Sequence, residues 1–158
     1  MDEVVKKMRE ILFRGKNVIT GEWVTGMNVF FACDAERTKF RCLMTQSGSH
    51  IEHNLVDTPD GRVWRHELPS VEVDVKTIGQ HIGLTDKTGA KIFEGDIVSG
   101  PDFDDEDGFG VVLYDEQTAR FVIEGNHLTV DFDSYYGSDV EVIGNVHDDP
   151  ELIGGAEE

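Results

Sequence analysis

The sequence predicts a mostly β protein, with an N-terminal β-rich subdomain followed by a small SH3-like C-terminal β-barrel. Three observations lead there. Apolar and polar residues alternate with a period of two, most plainly in Val71-Glu72-Val73-Asp74-Val75 and in Leu128-Thr129-Val130-Asp131-Phe132. Turn signals such as Thr58-Pro59-Asp60-Gly61 and Asp86-Lys87-Thr88-Gly89 punctuate the chain, and in the second half they recur about every 8–12 residues. Nine Phe and many Val and Ile, within a 39% apolar composition over 158 residues, supply enough surface for a packed core.

Taken in order, Asp2–Met8 reads as a short helix, with Val4, Met8 and Ile11 on one face and acids in the first turn. From Arg9 the texture is β. Gly15-Lys16-Asn17 reads as a turn, and Val18-Ile19 and Trp23-Val24 as a hairpin around Thr20-Gly21-Glu22. Val29, Phe31 and Cys33 share one strand face, and Phe40, Cys42 and Met44 repeat the pattern after the polar link Asp34–Lys39. Thr45–His50 reads as a loop. Thr58–Gly61 is a turn in which proline presets φ at the second position and glycine accepts the left-handed exit. Val63–Leu68 follows as a strand that Pro69 ends or confines to an edge, and Val71–Val75 as a half-buried strand.

A boundary falls around Thr77–Gly83, giving subdomains 1–76 and 77–153 and a disordered tail 154–158. In the second subdomain Lys91–Phe93 and Asp96–Ser99 are strand pieces hinged at Gly95, and 101–110 is an acidic loop. Val111–Tyr114 and Arg120–Glu124 form a hairpin, Leu128–Phe132 is a strand, and Val140 and Val142 start the last one. Pro150–Glu158 reads as a tail. Five short strands in some 75 residues fit the SH3-like barrel.

Charge divides the chain sharply. Of 32 acidic and 14 basic side chains, residues 80–158 hold 20 acids against Lys87, Lys91 and Arg120, a net of −17, whereas residues 1–79 hold 12 against 11. Neutralising phosphates needs clustered Lys and Arg, so direct nucleic-acid binding is not expected. No run approaches the roughly 18 apolar residues of a membrane span, and the first residues lack the apolar core of a secretory signal. Two cysteines are too few for a disulfide scaffold. The expectation is a cytoplasmic protein that binds no membrane.

The motifs that carry chemistry fail at named residues. The run Asp102-Phe103-Asp104-Asp105-Glu106-Asp107-Gly108 suggests a calcium loop. Placing Gly108 at loop position 6, however, puts Phe103 at position 1 and Tyr114 at position 12, where acids belong. A loose cation site or a solvated loop remain as its readings. Cys33, Cys42, His50 and His53 are zinc-type ligands without zinc spacing, and the cysteines sit on apolar strand faces. His66-Glu67 leads to Ser70 past Pro69, where a zinc protease needs a helical His. His50-Ile51-Glu52 lacks the Pro-Cys-x-x-Cys of a deaminase, and Gly108-Phe109-Gly110 precedes a strand with Leu113 where a dinucleotide loop needs Gly. No catalytic, cofactor-binding or metal residue is assigned, and no cofactor is expected. Trp23 and Trp64 lie within strand patterns and read as packing. Tyr135-Tyr136, in the turn-like stretch Asp133–Ser138, reads equally as contact or as packing.

Four stretches resemble the YopX family of phage and prophage proteins: Met8-Arg9-Glu10-Ile11-Leu12-Phe13-Arg14-Gly15 with Thr20-Gly21-Glu22-Trp23-Val24; Thr77-Ile78-Gly79-Gln80-His81-Ile82-Gly83-Leu84-Thr85-Asp86; Gly89-Ala90-Lys91-Ile92-Phe93-Glu94-Gly95-Asp96-Ile97-Val98; and Val142-Ile143-Gly144-Asn145-Val146-His147 with Pro150-Glu151-Leu152. Residues 1–7 precede the family's usual start, and the Asp102–Asp107 run is denser in acids than its pattern requires. The resemblance implies a β-rich protein with an SH3-like C-terminal barrel and a phage-related origin. It carries over no activity and no functional residue. The expectation for function is a non-enzymatic protein-interaction module, self-associating through edge strands such as Val71–Val75, with Asp102, Asp104, Asp105, Glu106, Asp107, Tyr135 and Tyr136 as the interaction surface. The competing reading is an acidic mimic of DNA that occupies a host DNA-binding protein.

Overall fold

The computed structural model describes residues 10–34, 36–49, 52–67, 69–100, 103, 108–132 and 139–154. The expected helix at Asp2–Met8 lies outside them. The chain is mostly β and divides into two compact units, Leu12–Ile78 and a second that runs from Gly79 and includes Glu10 and Ile11.

In the first unit, strands β1 (Phe13–Lys16), β2 (Trp23–Cys33), β3 (Phe40–Gln46) and β6 (Ser70–Glu72) lie antiparallel in the order β6-β3-β2-β1. Strands β4 (Glu52–Thr58) and β5 (Gly61–Glu67) form a separate two-stranded ribbon closed by the Pro59-Asp60 turn. Met44, Cys42 and Val73 make the buried centre, flanked by Phe13, Val24, Val29, Val71 and Ile78.

Several expectations for this unit shift. Gly15 and Lys16 lie inside β1, paired with Val24 and Trp23 of β2, and a Cβ on Gly15 would sit 3.2 Å from Val73 Cβ. The turn comes later and is organised by Asn17, whose Oδ1 accepts from Ile19 N (2.8 Å) and Thr20 N (3.3 Å). Val18 and Ile19 are consequently exposed turn residues. Thr45 and Gln46 belong to β3 rather than to a loop.

The expected strand Val71–Val75 is cut short. Val73 makes only an isolated bridge to Asn17, and Val75 begins a 3₁₀ turn, Val75–Thr77, capped by Asp74 Oδ1 accepting from Lys76 N at 3.0 Å. Long β2 and β3 run past the core, so Cys33 and Phe31 are exposed at the far end of a face whose near end, Val29 opposite Met44, is packed. Trp23 is half-buried with the Arg14 guanidinium 4.7 Å from its ring, but Trp64 stands 63% exposed on the ribbon.

In the second unit, β7 (Gly79–Thr85) and β8 (Lys91–Phe93) form a hairpin. Strands β9 (Asp96–Ser99), β10 (Gly110–Asp115), β11 (Arg120–Glu124), β12 (Thr129–Asp131) and β13 (Glu141–Asn145) form an antiparallel sheet in the order β12-β11-β10-β9-β13. Ile82 and Ile92 of the hairpin pack with Val98, Phe103, Val112, Ile123, Val130 and Val140 into one apolar cluster. Gly95, between β8 and β9, takes φ +79°, a left-handed conformation suited to glycine, while its N–H donates to Val112 O at 2.9 Å and its carbonyl accepts from Val146 N. Residues 150–153, expected to be tail, form one helical turn, α1 (Pro150–Ile153), with proline at its start, where the missing N–H costs no helical bond.

Phe103 is the unexpected core member. It is the one described residue of the acidic run, and it is buried. Its ring lies 3.0 Å from where a Cβ would stand on Gly110 or Gly125. Two glycines thus open the space that seats an aromatic side chain.

Candidate functional site

The seven residues singled out as an interaction surface (Asp102, Asp104, Asp105, Glu106, Asp107, Tyr135 and Tyr136) all lie outside the described residues, as does His50. Of the acidic run only Phe103 is described, and its side chain is buried in the core. Of the zinc-type residues, Cys33 is exposed and Cys42 buried, with burial pushing the Cys42 thiol up. Among the described residues no three His, Cys, Asp or Glu side chains converge as metal ligands.

A concave site forms instead on the inner face of the β9–β13 sheet. Val112 and Tyr114 share that face of β10, and opposite them stand Ile123 and Phe121 of β11. At the Val112–Ile123 end the face is filled by the core. One residue pair further on, at Tyr114–Phe121, it opens into a cavity of about 740 Å³. Ile82, Leu84, Phe121 and Phe132 continue the core outward as its floor, half-exposed Tyr114 forms one wall, Gln80 and Glu94 make a polar rim, and Arg120 and Asp131, whose register puts their side chains on the opposite face of the sheet, border it. Tyr114 and Phe121 meet edge to face, ring centres 5.3 Å apart at 67°, the arrangement that aromatic quadrupoles favour.

The rim and its border are ordered by their own contacts. Arg120 Nη1 lies 2.8 Å from Asp131 Oδ2, bridging β11 and β12. Glu94 Oε2 accepts from Gln80 N at 2.7 Å. At the cavity's end the β10–β11 turn is held by Asp115, whose carboxyl sits below the usual range because it accepts from the Thr118 hydroxyl (2.6 Å) and from Gln117 N (2.8 Å). Ala119 closes that turn at φ +55°.

Two other titratable groups are committed to structure. Asp86 is 5% exposed. Burial pushes its carboxyl up, but hydrogen bonds from Val142 N, from the Thr88 hydroxyl and from Ala90 N and Thr88 N outweigh it and hold the pKa at about 2. Oδ1 takes the Thr88 and Ala90 bonds at 2.7–2.9 Å and Oδ2 the Val142 bond at 3.0 Å, so one side chain ties the β7–β8 turn to β13. Buried Asp96 accepts from Phe93 N at 2.8 Å across the Gly95 turn.

Sequence reasoning missed this cavity. Tyr114, Phe121 and Phe132 each read as ordinary strand residues, and only the register brings them to one end of one face.

The YopX protein family matches the chain over residues 12–154. The chain belongs to the YopX family. The cavity and both apolar clusters of this YopX chain lie within the matched residues. The crystal structure of protein EF1440 from Enterococcus faecalis is similar at 25% identity, covering 92% of this chain and 99% of its own, with a TM-score of 0.55. No curated protein matches the YopX chain significantly. Among the described residues no helix is long and apolar enough to cross a membrane.

Proposed function

We propose that this chain is a non-enzymatic protein-interaction module of phage or prophage origin, acting in the cytoplasm as a homo-oligomer, with an SH3-like barrel in its second unit. One observation carries the reading. Phe31 and Phe40 stand 66% and 70% exposed on the first unit, and with exposed Val18 and Val75, over buried Cys42 and Val73, they line a shallow cavity of about 590 Å³ edged by Lys16, Arg41, Glu72 and Asp74. Large aromatic side chains held exposed over an apolar floor with a charged edge are typical of contact sites. The surrounding unit is almost neutral, with 9 acids and 8 bases in residues 12–78, so two copies of a chain of charge −18 meet there with least repulsion. Asp86 accepts from backbone amides through both carboxylate oxygens and Asp96 through Oδ2, which supports a framework role for them.

Light scattering after gel filtration tests the oligomer. The expected mass is a multiple of 17.7 kDa that falls to one chain in the double variant Phe31→Ser, Phe40→Ser. A wild-type monomer at tens of micromolar would sink the self-association.

The net of −17 over residues 80–158 supports a second reading, an acidic mimic of DNA that occupies a host DNA-binding protein. Competition against duplex DNA for a purified host DNA-binding protein, with no displacement at low salt, would remove it.

A further inference from the structure

The aromatic cavity of the second unit bears on partner choice independently of the Phe31 face. Its chemistry is mixed in a particular way. The walls are apolar, yet the rim is charged and the unit around it is strongly negative, with 20 acids and 3 bases from Gly79 onward. An anionic ligand would enter against that field. A neutral apolar ligand would fit the walls but gain nothing from the negative field around them. A cation on an aliphatic stem answers both. Its stem lies along Ile82 and Leu84, its head meets the face of Tyr114 or Phe132, and Glu94 stands at the rim. Arg120, the one cation among the described lining residues, is paired with Asp131 at 2.8 Å on the other face of the sheet.

The backbone beside the cavity favours an extended occupant. Among the described residues β12 pairs with β11 alone, as the outer strand of its sheet, and Asp131 and Phe132 at its end line the cavity. A strand laid along that outer edge gains main-chain hydrogen bonds and, through the two-residue alternation of its side chains, points one of them inward.

We propose that this cavity and the β12 edge together form a docking site for an extended basic segment of a partner protein, one Arg or Lys side chain of which inserts between Tyr114 and Phe132. The site rests on reading the chain as an interaction module but not on its self-association, so a monomeric protein would leave it standing.

The test uses the ¹⁵N-labelled full-length protein, titrated with the blocked peptide acetyl-Thr-Val-Arg-Val-Thr-amide and with its citrulline counterpart, which keeps shape and loses charge. Amide shifts are expected at Leu84, Tyr114, Phe121 and Val130–Phe132, with the arginine peptide binding about fivefold tighter than the citrulline one. Binding should weaken as salt rises from about 50 to 300 mM. Tyr114→Ala and Glu94→Gln, each shown to be folded by its amide spectrum, should each weaken it about threefold or more. Equal binding of the two peptides would mean a merely apolar groove and would overturn the proposal. So would shifts scattered over the acidic surface and indifferent to Tyr114→Ala, or no shift at millimolar peptide.

Discussion

Replacing Asp86 by Asn removes a charge that the fold has surrounded with donors. Three of the four hydrogen bonds to the side chain come from backbone N–H groups and one from the Thr88 hydroxyl. They hold the carboxyl at about 2 against an ordinary value of 3.8. Each pH unit of that depression is worth about 1.4 kcal/mol, so the folded state favours the ionised form by about 2–2.5 kcal/mol. The sign follows from the direction. A depressed carboxyl stabilises the fold fully above its unfolded pKa, and the contribution drains away as pH falls through the folded value, here between about pH 5 and pH 2. In Asp86→Asn, Oδ1 still accepts from Thr88 and Ala90, but an NH₂ faces Val142 N, donor against donor, which adds a desolvation cost. The expected loss is about 2–4 kcal/mol at pH 7, shrinking to about 1 kcal/mol at pH 2. Guanidinium unfolding followed by far-UV circular dichroism at pH 7, 5, 3 and 2 measures both numbers. A deficit below about 0.5 kcal/mol at pH 7, or one that stays constant down to pH 2, would refute the reasoning.

Two further substitutions probe packing. A Cβ on Gly110 would lie 2.4 Å from Ile123 Cγ2 and 3.0 Å from the Phe103 ring, both side chains buried, so Gly110→Ala should cost about 1–3 kcal/mol and lower the melting temperature. Trp64→Ser, on the exposed ribbon, should change unfolding free energy by no more than about 0.5 kcal/mol while removing an exposed, readily quenched component of the tryptophan emission.

Much of the second unit was legible because its strands obey local rules. Lys91–Phe93, Asp96–Ser99 and the β10–β11 hairpin announce themselves by alternation and by turn residues, and Asp86-Lys87-Thr88-Gly89 is a turn on chemistry alone: Asp86 accepts from Thr88 within the turn, and Gly89 takes φ +90°. The first unit was harder for a physical reason. Its β2–β3 hairpin outruns its small core, so alternation at Val29-Phe31-Cys33 correctly marks a face but not how far that face is covered. Strand β4, Glu-His-Asn-Leu-Val-Asp-Thr, carries little β pattern of its own and exists through pairing with β5. The cavity was illegible because it is a property of register: nothing local in Tyr114, Phe121 or Phe132 says that one end of a sheet face goes unfilled. Phe103 was hidden by its neighbours, five acids that read as a solvated loop.

Among the described residues the ribbon of β4 and β5 belongs to neither apolar cluster and has no third strand alongside; Leu55 pairs with Trp64 and Val56 with Val63. Nothing in either core registers what happens at its Pro59-Asp60 tip. The ribbon can therefore grow or shrink by matched pairs of residues, each addition preserving which side chains share a face, at little more than the entropy of a longer loop. That makes the tip a place where a peptide tag, a dye or a whole inserted domain can be carried while both folded units go on as before.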